Sequence, residues 1–231
     1  MTLHRTLTPL LLALAIVMGI GYGLRAMSPQ AGGGSQAGVA PLPKDVYSES
    51  GNRLPPVKRE ELDEQGQKVY DRFGPKGPQG PNIMRMYNPP FAELINGARA
   101  TLTGKSGMDK QLAELVILIA AREMDNQYIW SGHEVGGREE GLPQEVIEVV
   151  KFRKPVTGLG EKETILIQLG REAFQKHKVS SDTYARAVKV FGMKGTVDLV
   201  SLMALYTMTA VQFNTFDQHL EPNQKPTLPL P

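Results

Sequence analysis

The chain has 231 residues, 41% of them hydrophobic, with 26 lysines and arginines against 24 aspartates and glutamates and no cysteine. The lack of any thiol excludes disulfides, a redox dithiol and a thiolate nucleophile, so the fold must be held by burial alone. Arg5 and Arg25 account for the formal excess of +2, and the balanced remainder lacks the basic surface that a nucleic-acid partner needs.

Leu7 to Gly23 runs without a charged residue between His4-Arg5 and Arg25. It is read as an export segment, either a cleaved signal peptide or a retained anchor, since about 17 to 20 apolar residues are the least that span a bilayer. No Ala-x-Ala site follows, because Leu24 and Ala26 stand where two small residues are wanted, which favours an anchor. In either case the domain is expected outside the cytoplasm, periplasmic or secreted, with this segment as its only contact with a membrane. Residues 28–57 open on Ser-Pro-Gln-Ala-Gly-Gly-Gly-Ser, have no apolar period in their first half, and are read as a flexible linker. The globular domain is expected over 58–220.

Leu62, Val69, Tyr70 and Phe73 share a helical face, predicting a helix from Lys58 to Phe73 that stops at Gly74-Pro75. Gly74 to Pro81 alternates glycine and proline too densely for helix or central strand, and its length suggests a lid. Asn88 and Pro89 form an N-cap and first helical position, opening a helix through Leu102. Asp109 to Asp125 is apolar nearly all round, the pattern of a helix buried on every side.

Asp125-Asn126 breaks the chain and caps a helix over Gln127 to Arg138, which Gly141-Leu142-Pro143 stops before another from Gln144 to Phe152. Helical spacing returns over Glu161 to Lys178. Ser181-Asp182 is expected to cap a short helix to Phe191, and Thr196 a long one to about Asp217. Residues 221–231 form a proline-rich tail. No alternating run bounded by hairpin turns occurs, so the fold class is all-α, an antiparallel helical bundle.

Glu114 stands inside the run Leu-Ala-Glu-Leu-Val-Ile-Leu-Ile-Ala, where a carboxylate needs a partner. Spacing offers Lys110 or Arg122 on its own helix, and His133 on the next. His177 lies among lysines and His219 at a helix end beside Asp217, both without a catalytic pattern. His133, Glu134, Asp217 and His219 are ligand types, but no His-x-x-x-His spacing is present and no metal site is expected.

The order Glu114 to Arg122, then Tyr128-x-Trp130-x-x-His133, then Gly141-Leu142-Pro143, resembles the carboxymuconolactone decarboxylase family and its alkyl hydroperoxidase D-like relatives. The resemblance covers about residues 70 to 222, and Tyr206 to Leu220, with Asn214-Thr215-Phe216, looks like the family's closing helix. It implies a bundle of the alkyl hydroperoxidase D-like type assembling as a trimer or hexamer, with the site close to a subunit boundary. In the redox branch it implies Cys-x-x-Cys-x-x-x-His, whose slots here read Asn126, Ile129 and His133. Both sulfurs are missing, which disfavours peroxidase activity.

The non-redox branch implies cofactor-free acid-base chemistry, of decarboxylase or lyase type, on a small carboxylated or lactone substrate. His133 would be the general acid, Glu114 would orient it, and Tyr128 and Trp130 would line the pocket. The competing class is a non-catalytic binding or scaffold protein that has kept the helical shell after losing the redox pair.

Overall fold

A computed structural model describes residues 42–105 and 107–231, all within one compact unit, Val39–Pro231. The export or anchor segment and the first part of the linker lie outside the described residues. These contain no strand, only an isolated bridge between Tyr47 and Asn52, and no helix among them is long and apolar enough to cross a membrane.

The expected first helix is divided. A 3-10 turn at Arg59–Glu61 precedes α1 (Glu64–Asp71), because the Asp63 side chain accepts from the Gly66 N–H and starts the helix there. The Gly-Pro loop that follows lies against α1. A Cβ at Gly77, where φ is +66°, would come within 2.6 Å of the Tyr70 hydroxyl. Pro81 opens α2 (Pro81–Arg85), and Asn88 caps α3 (Pro89–Ala100), which ends in a π turn over Thr101–Lys105.

The centre is α4 (Lys110–Glu123), capped by Asp109, whose carboxylate accepts from the N–H groups of Gln111 and Leu112. Leu115, Val116, Leu118, Ala120 and Ala121 are wholly buried against α5 (Gln127–Glu139), α6 (Gln144–Lys151), α7 (Glu161–Gln175) and α8 (Ser181–Phe216). Each large aliphatic side chain so buried contributes roughly 1.5–3 kcal/mol. The α4–α5 corner turns on Asp125, at φ +46°, and Asn126, whose side chain caps α5 at Ile129 and donates to the Asn214 carboxamide of α8.

The end of the chain differs from expectation in two respects. The cap of α8 is Ser180, whose hydroxyl accepts from the Thr183 N–H, one residue before the Ser-Asp pair. The helix is interrupted at Gly192 (φ 70°, ψ 170°) and resumes at once, so Thr196 is no cap and donates its hydroxyl to the Gly192 carbonyl instead. Residues ahead of α1 and beyond α8 dock on the bundle. Asn52 is buried and donates to Gln218, while beyond residue 220 Leu228 is buried, its N–H donates to Gln127, and Arg122 holds the Pro229 carbonyl.

Candidate active site

Glu114 lies one turn into α4 and His133 in the second turn of α5, and the tight corner at Asp125-Asn126 sets the two helices side by side. His133 Nδ1 is 2.8 Å from Glu114 Oε2, so of the partners that spacing allowed, the histidine is the one Glu114 meets. Lys110 reaches Glu140, and Arg122 reaches Asp125 and the Pro229 carbonyl. Opposite a carboxylate oxygen, Nδ1 carries the hydrogen and donates it, which leaves Nε2 for solvent or a ligand.

The site is partly open, the two side chains being 18% and 20% exposed. Gly136, one turn beyond on α5, makes room for the carboxylate. A Cβ there would stand 3.3 Å from Glu114 Oε2. From α8 the Tyr206 ring meets the imidazole edge-on, at 5.0 Å between centroids and 88° between planes.

The two aromatic residues expected to line a pocket fall in different places. Tyr128 is half-buried, with its ring 4.9 Å from Phe213 in an edge arrangement and its hydroxyl beneath Gly80 of the Gly-Pro loop. Burial, and then the charge of Glu221, raise its phenol above the ordinary range. Trp130 is fully buried, and its indole N–H donates to Glu134 Oε2 at 2.8 Å. It is a core residue, correcting the reading that gave it to substrate.

Glu134, the residue after His133, is the deeply buried acid of this chain, at 2% exposure. Its carboxylate accepts from Trp130, Arg138 (2.7 Å), Lys151 (3.0 Å) and Thr227 (2.5 Å). Burial alone pulls its pKa up, but the hydrogen bonds from Thr227, Lys151 and Trp130 outweigh that and hold it below the ordinary range. A carboxylate with this many donors is a structural fastener for α5, α6 and the tail.

Two arginines at the site were missed. Arg85, the last residue of α2, is 6% exposed and donates through Nη2 to the Thr209 hydroxyl at 2.9 Å. Arg99 of α3 donates through Nε to the Tyr206 hydroxyl at 3.3 Å, and lines a cleft of about 460 Å³ between α1, α2 and α3. No local pattern marks either of them, since both act through α8, far away in sequence. At the end of α8, His219 lies 3.2 Å from Asp217 without hydrogen-bond geometry. Among the described residues no three His, Asp or Glu side chains converge as metal ligands.

No protein-family model matches the chain, and no curated protein matches it in sequence. Solved structures match it in fold, two among them with a TM-score of 0.57. One is an alkylhydroperoxidase AhpD core, an uncharacterized peroxidase-related protein from Ralstonia eutropha JMP134, with a TM-score of 0.57 at 14% identity, covering 74% of this chain and 93% of that one. The chain has the alkylhydroperoxidase D-like fold. The other is a cysteine-to-alanine variant of the debrominase Bmp8 in complex with 2,3,4-tribromopyrrole, with a TM-score of 0.57 at 12% identity, covering 72% of this chain and 90% of that one.

Within this alkylhydroperoxidase D-like fold, the two positions that resemblance assigns to a redox pair are structural here. Asn126 caps α5 and ties it to Asn214, and the Ile129 side chain is buried in the core. Neither supplies a nucleophile.

Proposed function

We propose that the protein is a cofactor-free enzyme of carboxymuconolactone decarboxylase type, performing acid-base chemistry on a small carboxylated or lactone substrate. The observation that carries this reading is the 2.8 Å contact between Glu114 and His133 in a partly open site. Glu114 fixes the ring through Nδ1 and thereby aims Nε2, the role a carboxylate plays for a catalytic imidazole. In a decarboxylation the bond to the departing carboxylate breaks, its electron pair passes into the lactone carbonyl, and carbon dioxide leaves. The His133 imidazolium then returns a proton to the carbon framework through Nε2, and solvent reprotonates the ring.

The substrate and the exported location are part of this proposal, as is assembly into a homo-oligomer. The test is a screen of small carboxylated lactones and hydroperoxides against the purified full chain, its His133→Gln variant and its Glu114→Gln variant. Lactone turnover that both variants lose, with unchanged circular dichroism, is the expected result. Lactone turnover that survives His133→Gln, or its absence throughout, sinks the proposal, and thiol-dependent hydroperoxide consumption would show a different chemistry.

A further inference from the structure

Arg85 is a buried cation that forms no ion pair among the described residues. Its guanidinium has five donors, yet its one hydrogen bond among the described residues goes to the neutral hydroxyl of Thr209, and Nε has no acceptor. Leaving such a group unpaired away from water is costly, and proteins keep it there where something else supplies the negative charge. Burial, opposed by Tyr206 and reinforced by the nearby charge of Arg99, lowers its pKa to about 10, as expected of a cation short of anionic partners.

The position of this cation is what gives it meaning. Thr209 and Tyr206 are three residues apart on α8, hence on the same face one turn apart, and Tyr206 is the residue whose ring abuts His133. Arg85 and His133 therefore address neighbouring turns of a single helix face, from α2 and α5 respectively. Arg99 reaches the hydroxyl of the same Tyr206 and lines the cleft beside α2 together with Arg72 and Glu93.

We propose that Arg85 is the anchor for a carboxylate of the substrate, which its two Nη groups would hold while the reacting carbon lies toward His133 Nε2. A guanidinium fork matches the two oxygens of a carboxylate, and in a buried site such a pair is strong. The inference rests on the proposed function for its substrate class, but it concerns binding and not turnover. It makes Arg85 a specificity residue, selecting acids over their esters.

The experiment is calorimetric titration of the full chain with a γ-butyrolactone carboxylate, with its methyl ester and with inorganic phosphate, repeated on Arg85→Met, Arg85→Lys and His133→Gln. Expected is binding of the acid by the wild type and by His133→Gln. The ester, and Arg85→Met with the acid, should bind about 10- to 100-fold more weakly, the range set by loss of a charged hydrogen-bonded pair. Arg85→Lys, which keeps charge but loses the fork, should fall between. Equal affinity for acid and ester on the wild type overturns the proposal even if no Arg85 variant folds. So do wild-type affinity in Arg85→Met, binding of phosphate but not of the acid, and no binding of the acid at all. Because His133→Gln is expected to bind without turnover, a failed acid-base proposal leaves this result readable.

Discussion

The Thr227 hydroxyl donates to Glu134 Oε2 at 2.5 Å, joining the C-terminal tail to α5 across 93 positions of sequence. The acceptor is the most enclosed acid described in the chain, and its other donors come from α5 itself and from α6. The proline-rich tail is thus one wall of the bundle. Thr227→Ala should cost about 1–3 kcal/mol, the usual worth of a hydrogen bond to a charged group, measured by urea denaturation. A cost near zero would mean that this hydrogen bond contributes nothing to stability.

The same carboxylate predicts how stability depends on acid. Its folded pKa lies below the ordinary value because the hydrogen bonds outweigh burial, so the native state binds fewer protons than the unfolded chain as pH falls. Its contribution is fully present above the ordinary carboxylate range and is lost as pH drops through the depressed folded pKa. Melting temperature should therefore fall with acidification through and below that range, and Glu134→Gln should flatten the fall while lowering stability at neutral pH. An unchanged slope in Glu134→Gln would remove Glu134 from the account.

How far the sequence could be read divides along one physical line. Starts and stops set by local chemistry were legible. Asn88 and Pro89 open α3, Asp109 opens α4, Asn126 opens α5, and Gly141 ends it at φ +83°. The contact of Glu114 with His133 was legible only as one of three choices, because spacing gives reach and not direction. Thr196 misled, since a threonine hydroxyl can bond back to a carbonyl one turn earlier as well as cap, and the break belongs to Gly192. Trp130 misled because aromatic residues at helical spacing look alike whether they face a pocket or a core. Glu134, Arg85 and Thr227 were beyond reach, their decisive partners lying on other elements.

Gly136 provides a test of the site that stability cannot mimic. A methyl group there would lie 3.3 Å from Glu114 Oε2, tight enough to push the carboxylate by a few tenths of an ångström. Alanine is otherwise favoured over glycine inside a helix by about 1 kcal/mol. Gly136→Ala is expected to leave stability unchanged or raised while shifting the His133 Nδ1 resonance and lowering the proposed lactone turnover several-fold. Unaltered nitrogen shifts by NMR would show that the pair tolerates the methyl group.

Gly170 on α7 should respond in the opposite sense. Its Cβ would fall 2.4 Å from Ile119 Cγ2 on α4, where both helices are packed into the core. The Ile119 methyl is fixed to its Cβ and cannot swing aside, so overpacking outweighs helix propensity, and Gly170→Ala is expected to destabilise by about 1–3 kcal/mol. Denaturation midpoints for the two glycine variants should move in different directions or by clearly different amounts. Equal small shifts would mean that α4 and α7 have room for the methyl group.

Finally, the outer face of α8 bears on assembly. Met193 is 67% exposed and Val197 63%, and Val200 and Val211 continue the same face at helical spacing. Single exposed aliphatic residues are ordinary, but a stripe of them along one helix is the kind of surface that copies of a chain bury against each other. If the proposed homo-oligomer uses this face, Val197→Glu places a charge in the middle of it. The full chain should then run as a trimer or hexamer by light scattering, and Val197→Glu as a smaller species with unchanged helix content. A wild-type monomer would remove the proposed assembly, and an intact oligomer in Val197→Glu would move the interface to another surface.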